Sequence, residues 1–552
     1  LKFQFFSILT FRILILQFIQ RVKYSFLTVI IVLSITLSAF AQKKASNKGY
    51  QNPIIHADYS DPDVVRVGND YYMTASSFNH VPGLPVLHSR DLVNWTLKGY
   101  ALKNLYPEEH FKKVRHGGGV WAPSIRFHQG KFYIYYPDPD FGIYVITAQN
   151  INGPWSSPIL VESGKGLIDP CPLWDDDGKV YLVHAYAGSR ASIKSILVLK
   201  EMNKQGTKVT GDPVMIFDGH DTDPTVEGPK IHKRNGYYYI FAPAGGVSTG
   251  WQLVLRSKHI FGPYERKMVM HQGKTSINGP HQGAWVDTPS GENWFFHFQD
   301  KGVYGRIVHL QPLKWVNDWP VIGEDLDGDG CGEPIYTYGV PKSDRSEKIN
   351  KIQCNDEFNS TNIGKQWQWQ ANPEQYWAMA TSNGFYRMYS VLDTSQLTDV
   401  WNYPNILGQK FPAEKFSATL NIAFKPRING EKFGFVVLGT DLAYLSLVKK
   451  EDGIFIEYIH RINAEKTCEE RILDTHKLSS GSVIVKVDVS SGGRCQFSYS
   501  EDSGQNFNNF NQIFTAKPGK WVGAKIGMFM SRNNITNDAG FTDIDWFRVK
   551  TR

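Results

Sequence analysis

Apolar and polar positions across residues 50–335 recur five times in one short pattern, a pair of strand-like runs around a turn. The copies open at Asp61-Pro62, Ala122-Pro123, Asp169-Pro170, Glu227-Gly228-Pro229 and Gly279-Pro280. An aromatic-apolar run follows each: Tyr71-Tyr72-Met73, Phe132 to Tyr136, Val180-Tyr181-Leu182, Tyr237 to Ile240, and Trp294-Phe295-Phe296. In between stands a turn signal: Gly68-Asn69-Asp70, Gln129-Gly130, Asp176-Asp177-Gly178, Asn235-Gly236 or Ser290-Gly291. Two short apolar runs around such a turn predict a β-hairpin. Five of them, at Pro-to-Pro spacings of 61, 47, 59 and 51 residues, predict a five-bladed β-propeller over residues 50–335, because each unit can bury its faces only against its neighbours.

The pattern then changes. A polar stretch from Lys342 to Lys351 lies within a predicted linker, 336–354. Beyond it come long runs of strict alternation: Phe416, Ala418, Leu420, Ile422, Phe424; Val483, Val485, Val487, Val489; Cys495, Phe497, Tyr499. Period-2 runs of this length predict antiparallel sheets with one buried face, packed as a jelly-roll β-sandwich over 355–552. The whole chain is expected to be all-β.

Composition narrows the function classes. The formal charge is +7, but Lys2, Arg12, Arg21 and Lys23 fall in residues 1–41 with no acid. No basic cluster elsewhere resembles a nucleic-acid footprint. Residues 1–41 read as a targeting segment with an over-extended or alternative start. Arg21 and Lys23 precede an apolar run from Phe26 to Leu37, and Ala39-Phe40-Ala41 forms an A-x-A cleavage pattern before Gln42. A second apolar run, Phe3 to Ile19, is short for a membrane span, so the mature chain is expected to have none. Export from a bacterial cytoplasm, to periplasm or exterior, is the expectation. The five cysteines show no metal-ligand spacing, and one disulfide, Cys468–Cys495, is conceivable.

Equivalent positions in propeller blades lie at equivalent distances from the axis, so Asp61, Asp169 and Glu227 are expected to converge. Three clustered carboxylates repel one another and raise one another's pKa. Glycoside hydrolysis needs such a group: one carboxyl protonates the leaving oxygen, a second activates water or attacks the sugar, and a third can keep the acid protonated near neutral pH.

The residues that carry this arrangement resemble glycoside hydrolase family 43. They include Ser60-Asp61-Pro62-Asp63, His88 to Trp95, Gly119-Val120-Trp121-Ala122-Pro123, Leu167-Ile168-Asp169-Pro170 and Val226-Glu227-Gly228-Pro229. The segment from Asp356 to Gln370 is similar to the concanavalin A-like sandwich that follows β-xylosidase-like members. The resemblance implies an inverting enzyme with Asp61 as general base, Glu227 as general acid and Asp169 as the modulator of the acid's pKa. Asp58 and Asp63 compete with Asp61 for the base, but only Asp61 shares the Pro-preceding position of Asp169. Phe78, Trp121 and Arg306 match positions that contact substrate, and His281 matches a His that faces a cation or water near the axis.

No organic cofactor is expected. Asp325-Leu326-Asp327-Gly328-Asp329-Gly330 copies the start of a calcium loop, but Tyr336 stands where the twelfth-position Glu belongs, with Glu333 nearby. A structural Ca²⁺ there competes with a plain acidic turn. Asp175-Asp176-Asp177-Gly178 reads as a solvated hairpin turn. The expected activity is exo-acting release of terminal α-L-arabinofuranose or β-D-xylose from plant hemicellulose, with the wording of several loops tilting toward arabinofuranose. An endo-acting arabinanase and a non-catalytic carbohydrate-binding propeller are the alternatives.

Overall fold

The computed structural model describes residues 49–342, 352–393, 399–466 and 469–552. The linker stretch 343–351 and Cys468 fall outside them. The chain divides into a small unit, residues 1–50 with Thr337–Val340, and a large one, Gln51–Tyr336 with Pro341–Arg552. Of the small unit little is described beyond the short strand Thr337–Tyr338.

The large unit opens with five antiparallel four-stranded sheets, each made of strands consecutive in sequence. Blade 1 holds Asp63–Val67, Asp70–Thr74, Gly83–Ser89 and Thr96–Leu102. Blades 2 to 5 begin with Ser124–His128, Leu167–Trp174, Lys230–Arg234 and His281–Asp287. The first strands of blades 1 to 4 adjoin in succession, and that of blade 5 returns to that of blade 1, which closes the ring. The propeller expected from the repeats is therefore present. In blades 2 and 4 the hairpin loop is two residues, between His128 and Lys131 and between Arg234 and Tyr237. Both loop residues have positive φ, 46° and 76° for Gln129-Gly130 and 50° and 75° for Asn235-Gly236. Such a turn matches the right-handed twist of the strands it joins.

Ring closure is reinforced by residues 52–59, which run beside the long strand Arg306–Val316 of blade 5. Ile55 pairs with Val308 through two backbone hydrogen bonds, and Tyr59 N–H donates to Arg306 O at 3.1 Å. The Asn52 carboxamide accepts from Leu310 N–H and donates to the Leu310 and Ile335 carbonyls, each at 2.8 Å.

Residues from Gln368 onward form two eight-stranded sheets. Phe416–Lys425, Ser482–Ser490 and Arg494–Ser500 are neighbours in one of them. Their alternating apolar positions are buried against Phe433, Phe435, Val437, Leu445 and Leu447 of the other. This is the sandwich that the period-2 pattern predicts. The same apolar cluster continues into Val81, Leu84 and Leu105 of the propeller through Trp367 and Trp369. Backbone hydrogen bonds cross the boundary as well: Val81 N–H to Trp369 O at 2.9 Å, Trp369 N–H to Val81 O at 2.6 Å, and Ala524 N–H to Val303 O at 2.8 Å.

Two sequence expectations change. Asp175 does lie in a hairpin turn, yet its carboxylate is buried rather than solvated. It accepts from Lys233 Nζ and from the Tyr238 hydroxyl of blade 4, both at 2.5 Å, and so fastens blade 3 to blade 4. Cys495 is a buried free thiol whose pKa burial pushes up to about 12; its conceivable partner, Cys468, is outside the described residues.

Candidate active site

The repeat places its carboxylates through a shared backbone conformation. Asp61, Asp169, Gly228 and Gly279 each precede a proline and have φ of 56°, 58°, 60° and 45°. A residue before proline normally adopts an extended conformation, and the left-handed region strains any residue but glycine. Four blades thus make the same unusual turn at the axis. In blade 4 glycine occupies the strained position, and the acid, Glu227, stands one residue earlier. A Cβ on Gly228 would approach Gln282 and Pro243 to 3.0 Å.

Three donors converge on Asp61. Ser60 Oγ and Ser76 Oγ donate to Oδ2 at 2.9 and 2.5 Å, and Arg306 Nη1 donates to Oδ1 at 3.4 Å. Every partner gives a hydrogen bond, the complement of a carboxylate that accepts them. Arg306 also donates to Ser60 Oγ at 2.7 Å, so the guanidinium and both hydroxyls form one network around Asp61.

Asp169 and Glu227 interlock. Gly228 N–H donates to Asp169 Oδ2 at 2.7 Å, and Gln282 Nε2 donates to the same oxygen at 3.3 Å. Burial pushes the pKa of Asp169 upward, and the charge of Asp61 adds to it. Burial also pushes that of Glu227 upward, followed by repulsion from Asp169 and Asp61, with Arg306 and Lys194 pulling the other way. Glu227 keeps 21% of its side-chain surface open, so it is shielded from bulk water but reachable. His281 Nε2 lies 3.6 Å from Glu227 Oε1. Burial, then Arg306, lowers its pKa to about 3, which leaves a neutral imidazole beside the acid.

The two competitors for the base are closed off. Both Asp58 oxygens are occupied by backbone donors, Arg306 N–H at 3.0 Å and Gly523 N–H at 2.9 Å. Asp63 Oδ2 accepts from Ile125 N–H at 2.8 Å and Arg126 Nη1 at 2.6 Å, and its side chain is almost wholly buried. Asp63 joins blades 1 and 2, as Asp175 joins blades 3 and 4.

Aromatic side chains stand around this centre. Phe78 meets Trp121 edge-on at 6.4 Å, and Trp121 meets Trp521 at 6.2 Å. Phe78 is held by paired backbone hydrogen bonds with Val120, and Gly119 is indispensable there because a Cβ would come within 2.5 Å of Phe78 O. The Trp121 indole donates to Gly117 O at 2.9 Å, and the Arg190 guanidinium lies 5.6 Å from its ring. Arg306 lies 4.9 Å from the Phe298 ring and 5.5 Å from that of Trp521. Trp521 belongs to the sandwich and is 47% exposed. Sequence reasoning passed over it, since nothing in Lys517-Pro-Gly-Lys-Trp521 marks a residue that reaches the propeller axis. Ser76 and Gln282 were also missed, although each is within two residues of a position already singled out.

Two other features lie apart from the carboxylates. A cleft of about 880 Å³ is lined by Trp95, Tyr100, Gln353 and Lys410, among others, and by none of the three acids. The oxygens of Asp325, Asp327 and Asp329 lie within 4.8 Å of one another and are exposed. Gly328, Gly330 and Cys331 N–H groups close this turn onto Asp325 and Asp329. No described helix is long and apolar enough to cross a membrane.

The profile described as Glycosyl hydrolases family 43 matches residues 50–320, and that of the Beta xylosidase C-terminal Concanavalin A-like domain matches residues 355–550. A protein of Xylanibacter ruminicola provisionally named a β-xylosidase is 38% identical over 482 residues, covering 87% of this chain and 85% of its own. The chain belongs to glycosyl hydrolase family 43. This hydrolase is also similar to a non-reducing end α-L-arabinofuranosidase of Bacteroides ovatus, 27% identical over 539 residues, with 92% of this chain and 96% of that protein covered. A family 43 protein from Bacillus licheniformis has the same fold, with a TM-score of 0.79 at 24% identity over 91% of this chain and 100% of that one.

Proposed function

We propose that the protein is an exo-acting, inverting pentosidase that removes terminal β-D-xylose or α-L-arabinofuranose from plant hemicellulose. The observation that carries this reading is the contrast between two converging carboxyls. Asp61 is ringed by donors, and Glu227 is pushed toward its protonated form by burial and by two neighbouring acids. In the reaction, Asp61 takes a proton from water as the water oxygen attacks the anomeric carbon. The bond to the leaving oxygen breaks, and Glu227 gives that oxygen its proton. Asp169 holds the backbone next to Glu227 and adds the repulsion that keeps the acid loaded. Arg306 orients Asp61 and offers donors to sugar hydroxyls, and Phe78, Trp121 and Trp521 supply apolar walls for a single terminal ring. The name of the Xylanibacter relative favours xylose over the arabinofuranose suggested by the loops. The A-x-A pattern before Gln42 supports export, which detection of the enzyme outside the cytoplasm would check.

The test is hydrolysis of 4-nitrophenyl β-D-xyloside and α-L-arabinofuranoside. Asp61→Ala and Glu227→Ala should each lower kcat/KM by about 10²–10⁴-fold. Glu227→Gln should lose less on nitrophenyl substrates, whose leaving group needs little protonation, than on xylo-oligosaccharides. Equal losses on both would remove Glu227 from the acid role.

A further inference from the structure

Asp58 is 5% exposed and holds backbone groups from two domains at once. Oδ1 takes Arg306 N–H of blade 5 at 3.0 Å, and Oδ2 takes Gly523 N–H of the sandwich at 2.9 Å. The backbones at the junction approach too closely for a side chain at either glycine. A Cβ on Gly305 would fall 2.5 Å from the Asp58 carboxyl carbon and 2.7 Å from Gly523 N, and one on Gly523 would fall 2.6 Å from Gly305 N. Two lysines of the sandwich, the half-buried Lys410 and the buried Lys525, feel the Asp58 charge, which opposes the lowering of their pKa by desolvation. On one side of the junction, the Arg306 side chain reaches Ser60 and Asp61. On the other, Trp521 stands two residues before Gly523, with its ring 5.5 Å from the same guanidinium.

We propose that Asp58 is a positioning residue that ties docking of the sandwich to the geometry of the reacting centre. One carboxylate sets the backbone of Arg306 and of the Trp521 loop relative to each other, so the aromatic wall and the guanidinium beside Asp61 are held in register. A carboxylate suits the position because it accepts on both oxygens, whereas an amide accepts on only one. This inference rests on the pentosidase reading above.

The experiment is a kinetic cycle on the full chain with whichever 4-nitrophenyl pentoside the wild-type enzyme hydrolyses. Asp58→Asn should raise KM by about ten-fold, because the Trp521 wall and the Arg306 donors then lose their register on the sugar and small misplacements of positioning groups are costly. A change that only unfolds part of the sample lowers the active fraction and leaves KM alone, so the KM rise separates positioning from bulk stability. In a Trp521→Ala background, where the wall is already gone, Asp58→Asn should raise KM by less than about three-fold, because coupled residues are not additive. An unchanged KM, or equal effects in both backgrounds, would overturn the proposal. Hydrogen exchange on the wild-type protein gives a second arm that needs no variant to fold. The amides of Arg306 and Gly523 should be protected to the same degree, since one group holds both; free exchange at Gly523 alone would overturn it too. Absence of wild-type turnover on either pentoside fails the pentosidase reading and leaves the exchange result to judge Asp58.

Discussion

Glu227 and Asp169 show how the same residue type acquires a different task from its surroundings. Asp169 is buried and accepts a backbone N–H and an amide N–H, whereas Glu227 is half-buried, with His281 Nε2 at 3.6 Å on one side and the other side open. Catalysis needs Glu227 protonated, so kcat/KM should hold at neutral pH and fall as pH rises through its raised pKa. Asp169 is the first charge, after burial itself, that raises that pKa. Asp169→Asn removes the charge and keeps the shape, so the alkaline limb of the kcat/KM–pH profile should move to lower pH. A pH series on the variant checks this, and an unmoved limb would restrict Asp169 to holding the backbone of Gly228. His281 is neutral throughout this range, its pKa lowered to about 3, and contributes no limb of its own.

At the scale of elements, blades are joined as much by buried charges as by apolar packing. Asp175 binds Lys233 and Tyr238, and Asp63 binds Arg126, each across a blade boundary. Asp175→Ala should lower the unfolding free energy by about 1–3 kcal/mol, since it strands the Tyr238 hydroxyl and leaves Lys233 with Asp176 alone of its two carboxylate partners. Urea unfolding would show this as a lower midpoint at unchanged slope; no shift would mean the tie adds nothing. The hairpins and the sandwich alternation were legible in the sequence, because both depend on local turn residues and a two-residue period. The position of the acids was legible for the same reason, as the Pro-preceding turn repeats. The shared left-handed φ at Asp61, Asp169 and Gly228 was not, since propensity argues against that conformation before proline. Asp175 was misread because Asp-Asp-Asp-Gly has the composition of an exposed turn, and only the packing of blade 4 beside it buries the first acid.

At the scale of the whole molecule, propeller and sandwich share one apolar cluster and several backbone hydrogen bonds. The sandwich thereby delivers Trp521 to a centre whose other parts lie in blades 1 to 5. Alternation shows which face of a strand is buried, but not which loop of one domain reaches another, so this contribution was invisible in the sequence. A wall at that position fits removal of one terminal sugar better than cleavage within a long chain. Single displacement by water, with Asp61 as base and Glu227 as acid, fixes the anomer of the released sugar. An inverting pair stands roughly 6.5–9.5 Å apart with water between, and a retaining pair about 5–5.5 Å with a covalent intermediate. Proton NMR of the first sugar released from 4-nitrophenyl β-D-xyloside separates the two directly. α-D-Xylose should appear first and the β-anomer only later by mutarotation; β-D-xylose as the first product would rule out the inverting mechanism.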